Sequence, residues 1–354
     1  MTRIRVVVVP VCVLAGLLAA ASVAAQPADT GGTRGVAFDT VVGVQDMLFE
    51  DNRWRTQVII DSAATLEIGG GLHVSVRPVF WRVDGEWQAL LDQASLRYEA
   101  GRDVRLRVEA GRFPSPIGLG MTENRANVNP GVLWCHRLYY SPLPALGPGI
   151  PPQSLVSAVY PMGVMATLTA SVWDVRAAVL DRAPVDHWRA TARRTTPTHA
   201  VIGGGVTPRQ GLRLGVAGAF GALRDSFSDR SGYQMLNVEV DWAFAYTRIS
   251  GEWTRDRFDT SLGRRTADGW TAQARQTLNP RWFVHSRATR ATAPQVAADG
   301  AATPRTYLAV DSTLGYLVSP EITVRVGHTA LRGWTAPATD HQLGLSVVWA
   351  RRWW

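Results

Sequence analysis

The C-terminal segment constrains the fold more than any other part of the chain. Residues 341–354 alternate apolar residues with small or polar ones and end in aromatic side chains. Leu343 and Leu345 fall on one face of the segment, whereas Gly344 and Ser346 fall on the other. In a barrel that spans a membrane, one face of each strand meets lipid and the other meets the interior. The segment therefore predicts a transmembrane β-strand that ends in interfacial aromatic residues.

The N-terminal segment predicts the compartment. Two arginines precede an apolar run at 6–24, and small residues lead up to Ala25. This arrangement is typical of a secretory signal peptide, here residues 1–25, whereas an N-terminal anchor helix is the alternative. Residues 26–354 then form a single outer-membrane domain. Only Cys135 remains after cleavage, so no internal disulfide is expected.

The composition also favours a membrane barrel. After the signal segment no stretch reaches the ~20 apolar residues that a membrane helix needs, although the chain contains 14 tryptophans and 33 glycines. All 37 basic residues are arginines, and the isoelectric point is about 10.1. In a soluble protein such a charge would suggest nucleic-acid binding. Here the arginines are spread singly along alternating segments of a secreted chain, so nucleic acid is not an expected partner.

Alternating segments predict an all-β fold, a transmembrane antiparallel β-barrel of about sixteen strands with both termini in the periplasm. Short connections, such as those at 279–280 and 319–320, are the expected periplasmic turns. Longer connections near 223–231, 257–266, 293–303 and 333–339 are the expected extracellular loops. The predicted strands are 36–49, 54–67, 71–81, 88–99, 103–112, 162–172, 174–182, 198–207, 210–222, 232–242, 245–256, 267–278, 281–292, 304–318, 321–332 and 340–354.

Tryptophans on the apolar faces predict two aromatic girdles, which a soluble sandwich has no reason to carry at both rims of its outer face. The predicted girdle residues are Trp242 and Trp282 at periplasmic strand ends, Trp253 and Trp270 at extracellular strand ends, and Trp349 and Trp353 on the last strand.

The opposite faces of the strands predict the residues that line the pore. Cations outnumber anions among them, and an arginine-lined constriction favours the passage of anions. In the alternative, these arginines pair with acids across the lumen and only brace the wall. The predicted pore-lining residues are Arg105, Arg107, Glu109, Arg176, Arg213, Arg248, Glu252, Arg275, Arg287, Asp311 and Arg325.

The longest connection, 113–160, is rich in proline and glycine. A segment of this length without evident secondary structure is uncommon unless it is functional. We expect it to fold inward and narrow the pore. An extracellular lid and a subunit-contact loop are the alternatives.

Residues 90–120 carry a motif. The sequence AGRFPSPIGL at 110–119 follows LDQASLRY at 91–98. This stretch resembles the phosphate-selective porins O and P of Gram-negative outer membranes, and the resemblance implies a sixteen-stranded, usually trimeric, anion-passing barrel. The residues that match the motif are Arg112, Phe113, Pro116 and Gly118, for which we expect a structural role in ending a strand and turning the loop inward. The phosphate-selective members have a lysine-rich eyelet, and this chain has no lysine, so phosphate selectivity is not implied.

The sequence thus predicts a porin, a passive channel for small hydrophilic solutes with a preference for anions. A closed structural or adhesion barrel is the main alternative. A barrel enzyme is a further one, although His136, His187, His199 and His328 show no recognisable catalytic or metal-binding spacing. No cofactor or metal is expected. The expected partners are outer-membrane lipid and lipopolysaccharide, the barrel-insertion machinery, a homotrimer and small anionic solutes.

Overall fold

The structure is a computed structural model that describes residues 35–49, 54–83, 85–134, 136–147, 150, 152–187, 199–223, 231–334 and 338–353. The predicted signal peptide, 1–25, and Cys135 lie outside these ranges. Within them, no helix has both the length and the apolar character needed to cross a membrane.

The described chain forms a closed antiparallel barrel of sixteen strands, which confirms the predicted fold. Each strand pairs with its neighbours in sequence, and β1 closes the barrel by pairing with β16. Closure pairs the backbone groups that an open sheet edge would leave exposed to lipid. The strands are β1 Val36–Leu48, β2 Trp54–Gly69, β3 Leu72–Val83, β4 Glu86–Ala100, β5 Arg105–Arg112, β6 Met162–Thr169, β7 Trp173–Leu180, β8 His199–Arg209, β9 Leu212–Leu223, β10 Ser231–Phe244, β11 Thr247–Thr260, β12 Gly263–Thr277, β13 Trp282–Val296, β14 Ala302–Leu317, β15 Ile322–Arg332 and β16 Asp340–Arg352.

The two ends of the barrel differ. At the turn end, which also holds the start of β1 and the end of β16, short turns join the strands, such as residues 210–211 between β8 and β9. Gly211 has a φ of 81°, and a Cβ there would lie 2.1 Å from the carbonyl oxygen of Ala243. Only glycine fits this turn. The opposite end, the loop end, holds the long connection between β5 and β6.

One predicted loop is a strand hairpin. The segment 257–266 was expected to be an extracellular loop, but β11 continues to Thr260 and β12 resumes at Gly263. The prediction is wrong because Arg255 and Arg257 occupy the outward face there, so the apolar alternation stops before the strand does. These strands therefore extend beyond the apolar band of the barrel.

The two faces of the strands have the chemistry that a membrane requires. In β10, Leu236, Val238 and Val240 are exposed on the outer face, whereas Asn237 and Glu239 are buried inside. Exposed apolar side chains on an outer face are stable when lipid replaces water around them.

The four girdle tryptophans predicted on β10 to β13 lie on the outer face. Trp242 and Trp282 lie near the turn end, as expected. Trp253 and Trp270, by contrast, pair with each other in the middle of β11 and β12. Their predicted position at strand ends is wrong because both strands continue past them.

Trp349 and Trp353 stack edge to face near the end of β16, with ring centroids 6.1 Å apart. Trp349 faces outward by register but is only 5% exposed. Its indole donates a hydrogen bond to Glu321, at 3.3 Å. The prediction that Trp349 and Trp353 belong to the membrane girdle stays a prediction.

We expect Val240→Arg to destabilise the folded barrel by about 2 to 4 kcal/mol, because the cation would face the lipid. The matched control is Thr169→Arg, where an exposed, inward-facing side chain lies beside Asp174. Folding titrations into lipid vesicles measure both. Equal destabilisation would contradict the assignment of inner and outer faces.

We expect the turn end to face the periplasm. In a chain without its native cysteines, Ala298→Cys in the connection between β13 and β14 should react with an impermeant thiol reagent on intact cells. Asn279→Cys, in the turn between β12 and β13, should react only after the cells are opened. The reverse result would invert the barrel.

Candidate functional site: a loop inside the barrel and an arginine vestibule

The connection between β5 and β6, residues 113–161, lies inside the barrel in its described parts, 113–134, 136–147, 150 and 152–161. It begins as an extension of β5, where the amide of Phe113 donates to the carbonyl of Pro161 and that of Ser115 to Val159. It contains a 3-10 turn at Leu119–Met121 and a four-residue helix, α1, at Arg137–Tyr140. We call this segment the inner loop.

The motif residues are located where the inner loop leaves the wall. Arg112 ends β5, and Phe113 is 0% exposed. Pro116 is also buried. Gly118 has a φ of 96°, and a Cβ there would come within 2.0 Å of the Tyr139 hydroxyl oxygen. This local geometry excludes any residue with a side chain at position 118.

An apolar core joins the inner loop to the barrel wall. Ile117, Tyr139, Leu155 and Val156 of the loop are at most 1% exposed. They belong to one buried cluster with small inward-facing residues of the wall, namely Ala178, Ala217, Ala219, Ala291 and Ala309. Small wall residues leave the volume that the larger loop side chains fill.

Glycines on the inward face have the same effect. A Cβ at Gly269 would lie 2.7 Å from Leu155, and one at Gly327 would lie 2.7 Å from Val132 of the inner loop. A Cβ at Gly43 would lie 2.8 Å from the Trp134 ring. The wall is therefore shaped to accept the loop at several separate strands.

A buried polar cluster fixes the middle of the inner loop. The carboxylate of Glu123 lies 2.9 Å from Nε2 of His136 and accepts hydrogen bonds from Gln273 and Arg248, both at 2.8 Å. Burial raises the pKa of Glu123, but the His136 contact, the Gln273 hydrogen bond and the charge of Arg248 outweigh it and lower this pKa to about 2. Burial lowers the pKa of His136. Glu123 therefore stays ionised at neutral pH and binds the loop to β11 and β12.

A second contact involves Glu252 of β11. Its carboxylate accepts hydrogen bonds from the Tyr139 hydroxyl, at 2.7 Å, and from the Leu119 amide, at 3.0 Å. The Tyr139 hydroxyl in turn accepts from the Gly120 amide, at 2.8 Å. Burial and the nearby Glu252 raise the pKa of Tyr139, so its hydroxyl keeps its proton.

Buried arginines hold the other side of the loop. Arg325 donates to the carbonyl of Ala126 at 2.8 Å. Arg287 lies 3.4 Å from the Asp311 carboxylate, which Arg137 of the loop approaches from the other side at 3.5 Å. These wall side chains contact the loop or lie beneath it.

Every predicted pore-lining residue lies on the inward register, but they divide into two groups. Five of them are at most 4% exposed and do not line an open passage. At four of these positions the prediction fails because the inner loop covers the wall, whereas Glu109 is enclosed by the wall residues Gln93, Ser95 and Arg107. The buried residues are Glu109, Glu252, Arg287, Asp311 and Arg325.

The remaining arginines form a partly exposed group towards the turn end, which we call the arginine vestibule. Its members are Arg105, Arg107, Arg176, Arg213, Arg248 and Arg275.

Most vestibule arginines are paired. Arg107 bonds Glu109, and Arg176 bonds Glu239 at 3.4 Å. Arg213 bridges Asp174 and Glu239, at 3.0 and 2.6 Å. Arg248 bridges Asp241 and Glu123, both at 2.8 Å.

Two vestibule arginines differ from the others. Among the described residues, no carboxylate oxygen lies within 4.0 Å of Arg105 or Arg275. Arg275 instead lies over the Phe283 ring, 4.5 Å from its centroid. The six vestibule arginines therefore exceed the five carboxylates that pair with them by one charge.

Sequence reasoning missed the cluster around Arg77 of β3. Arg77 donates to both carboxylate oxygens of Asp61, at 2.9 and 2.7 Å, and to the Tyr160 hydroxyl at 2.7 Å. The alternation along β2 and β3 could have revealed this cluster. Asp61 and Arg77 both fall on the face opposite the exposed apolar residues.

Solved structures resemble the barrel, although no protein-family model matches the chain and no curated protein matches its sequence. OmpT of Vibrio cholerae has a TM-score of 0.63 at 11% identity, over 91% of this chain and 99% of that one. An anion-selective porin from Comamonas acidovorans scores 0.57 at 10% identity, over 90% and 99%. OmpF of Salmonella typhi, in complex with daunomycin, scores 0.58 at 10% identity, over 90% and 97%.

At such identities the likeness concerns the fold. Together with the closed sixteen-stranded barrel and its apolar outer face, it identifies the chain as an outer-membrane β-barrel with the architecture of the porins.

We expect Gly327→Leu to displace the inner loop, because the new side chain would occupy the position of Val132. In the detergent-folded protein, trypsin should then cleave after Arg125 or Arg137, which the loop contacts protect in the wild type. The control is Gly218→Leu on the outer face, where an added Cβ has only one neighbour, at 3.5 Å. Equal protection in both variants would contradict the role of the glycine.

Proposed function

We propose that the protein is a porin, a passive channel through the outer membrane for small hydrophilic solutes, with a preference for anions. The observation that carries the proposal is the arginine vestibule inside a sixteen-stranded barrel. Arg105 and Arg275 have no partner carboxylate among the described residues, so their potential acts on the solution inside the barrel. In a narrow passage with low-dielectric walls such a potential is focused.

The likeness to an anion-selective porin supports the same preference. Most lumenal arginines are neutralised by carboxylates, so the preference rests on a small excess of charge. We therefore propose a modest selectivity and make no proposal of phosphate specificity.

Transport rather than catalysis is the proposed activity. The arrangement nearest to a catalytic pair is His136 with Glu123, at 2.9 Å. It is buried in the contact that fixes the inner loop, and no described hydroxyl forms a hydrogen bond with this imidazole. The pair therefore has a structural role in this proposal.

The proposed assembly is a homotrimer in lipid and lipopolysaccharide, inserted by the barrel-insertion machinery. A trimeric form is described for the neighbour OmpT. Arg290 lies level with Trp270 on the outer face and Arg255 lies beyond Trp253, and both side chains suit the phosphates of lipopolysaccharide.

A closed structural barrel is the second candidate. The observation that favours it is the apolar core between the inner loop and the wall, in which Phe113, Ile117 and Val156 are 0% exposed. Such a core holds the loop in place inside the barrel, where it fills part of the lumen.

Planar-bilayer recording tests both candidates. We expect single-channel steps and, in a KCl gradient at about 0.1 M, a reversal potential that favours chloride. The preference should weaken towards 1 M, because the Debye length falls from ~10 to ~3 Å. Neutralising Arg105 and Arg275 together to Gln should shift the reversal potential towards cations.

The matched control is Arg264→Gln, at the exposed hairpin of β11 and β12, which should leave selectivity unchanged. A cation-selective wild type would contradict the anion preference. The complete absence of steps would favour the closed barrel.

A further inference from the structure

A cavity separates the inner loop from the wall formed by β1 to β4. Space for the centres of water molecules is about 70 Å³, which corresponds to roughly five waters. The side chains that decide its chemistry are Arg77, Trp81, Asp92, Trp134, Tyr140 and Tyr160.

Aromatic rings form much of the lining. Trp81 of β3 meets Tyr140 of the inner loop edge to face, with centroids 6.4 Å apart and planes at 88°. Trp134 lines the cavity from the loop, and its ring fits against Gly43 of β1. Ring faces bind apolar groups by contact and cations through their quadrupole.

Two arginines beside the cavity, Arg77 and Arg125, are already paired with aspartates. Arg77 makes two hydrogen bonds to Asp61 and one to the Tyr160 hydroxyl. Arg125 bonds the same Asp61, at 3.1 Å, and Asp39, at 2.5 Å. Two arginines thus face two aspartates, and this group carries no net charge.

Asp92 lies outside this group, and the charges of Arg77 and Arg112 act on it without an ion pair within 4.0 Å among the described residues. It is an extra residue at a bulge in β4, where Arg77 pairs with Gln93 and Pro78 with Leu91, and it lines the cavity. No donor among the described residues forms a hydrogen bond or a salt bridge with it. A partly buried carboxylate without a partner is unfavourable until a cation or a donor reaches it.

We propose that this cavity binds a small organic monocation, an ammonium or amidinium group on an apolar or aromatic body. The charged group would bond the Asp92 carboxylate, and the body would lie against Trp81 and Tyr140. The unpaired carboxylate disfavours an organic anion, and a neutral molecule of the same shape lacks the ionic contact. This selectivity is opposite to that of the arginine vestibule and does not depend on it.

Calorimetric titration of the full-length, detergent-folded protein tests the proposal with three probes of similar shape. We expect benzylammonium to bind more tightly than benzyl alcohol, and benzoate to bind weakest. Equal affinity for the three probes, or tighter binding of benzoate, overturns the proposal. This comparison uses the wild type alone and does not depend on the folding of a variant.

Asp92→Asn should reduce the affinity for benzylammonium at least tenfold, which is about 1.4 kcal/mol, and leave that for benzyl alcohol unchanged. Glu99→Gln, on the same strand and paired with Arg97 at 3.3 Å, is the matched control and should alter neither affinity. Unchanged benzylammonium binding in folded Asp92→Asn overturns the proposal. Because binding is measured without current, these outcomes are separate from the failure of channel conductance or of its anion preference.

Discussion

The contact between the inner loop and the small residues of the barrel wall determines the rest of the lumen. A sixteen-stranded barrel encloses more volume than inward side chains alone fill, so something must occupy it or leave it to water. Here alanines and glycines on the inward face make room, and Ile117, Tyr139 and Leu155 of the loop fill it. The apolar core of this protein therefore lies inside the barrel rather than between two layers.

The electrostatics follow from that packing. Once the loop is in place, Arg287, Asp311 and Arg325 are removed from water and need partners. Guanidinium groups suit this because one arginine can bond several acceptors in a fixed plane. Arg325 donates to loop carbonyls, and Arg137 and Arg287 share Asp311. Arg287, Asp311 and Arg325, which the sequence predicted as pore-lining residues, thus bind the loop to the wall.

Much of the fold could be predicted from the sequence, because period two in a membrane strand leaves one acceptable assignment of faces. The inward position of Arg213, Arg248 and Arg275 followed directly from that parity. The alternation of faces does not show which inward side chains the inner loop covers and which stay open to water. Glu252 and Arg248 are neighbours on one face, yet Glu252 lies under the loop and Arg248 reaches the vestibule.

The failures have specific causes. The extension of β11 and β12 was missed because Arg255 and Arg257 replaced the apolar residues that mark a lipid face. The inward glycines were visible in the sequence, since Gly269, Gly327 and Gly344 all occur on the lumenal parity. Glycine costs strand stability, and its recurrence on one face is the signal that another part of the chain approaches closely there.

The inner loop also divides the charges of the lumen into two environments. On the side of β5 to β12, permanently charged arginines are exposed towards the turn end, and two of them have no carboxylate partner in the described part of the chain. On the side of β1 to β4, Arg77 and Arg125 are paired with Asp39 and Asp61. Asp92 forms no ion pair among the described residues. A net charge of the whole chain therefore does not describe either side. In the channel that we propose, selectivity depends on which arginines the loop and the wall leave unpaired, because an ion pair has a weaker field than an isolated charge.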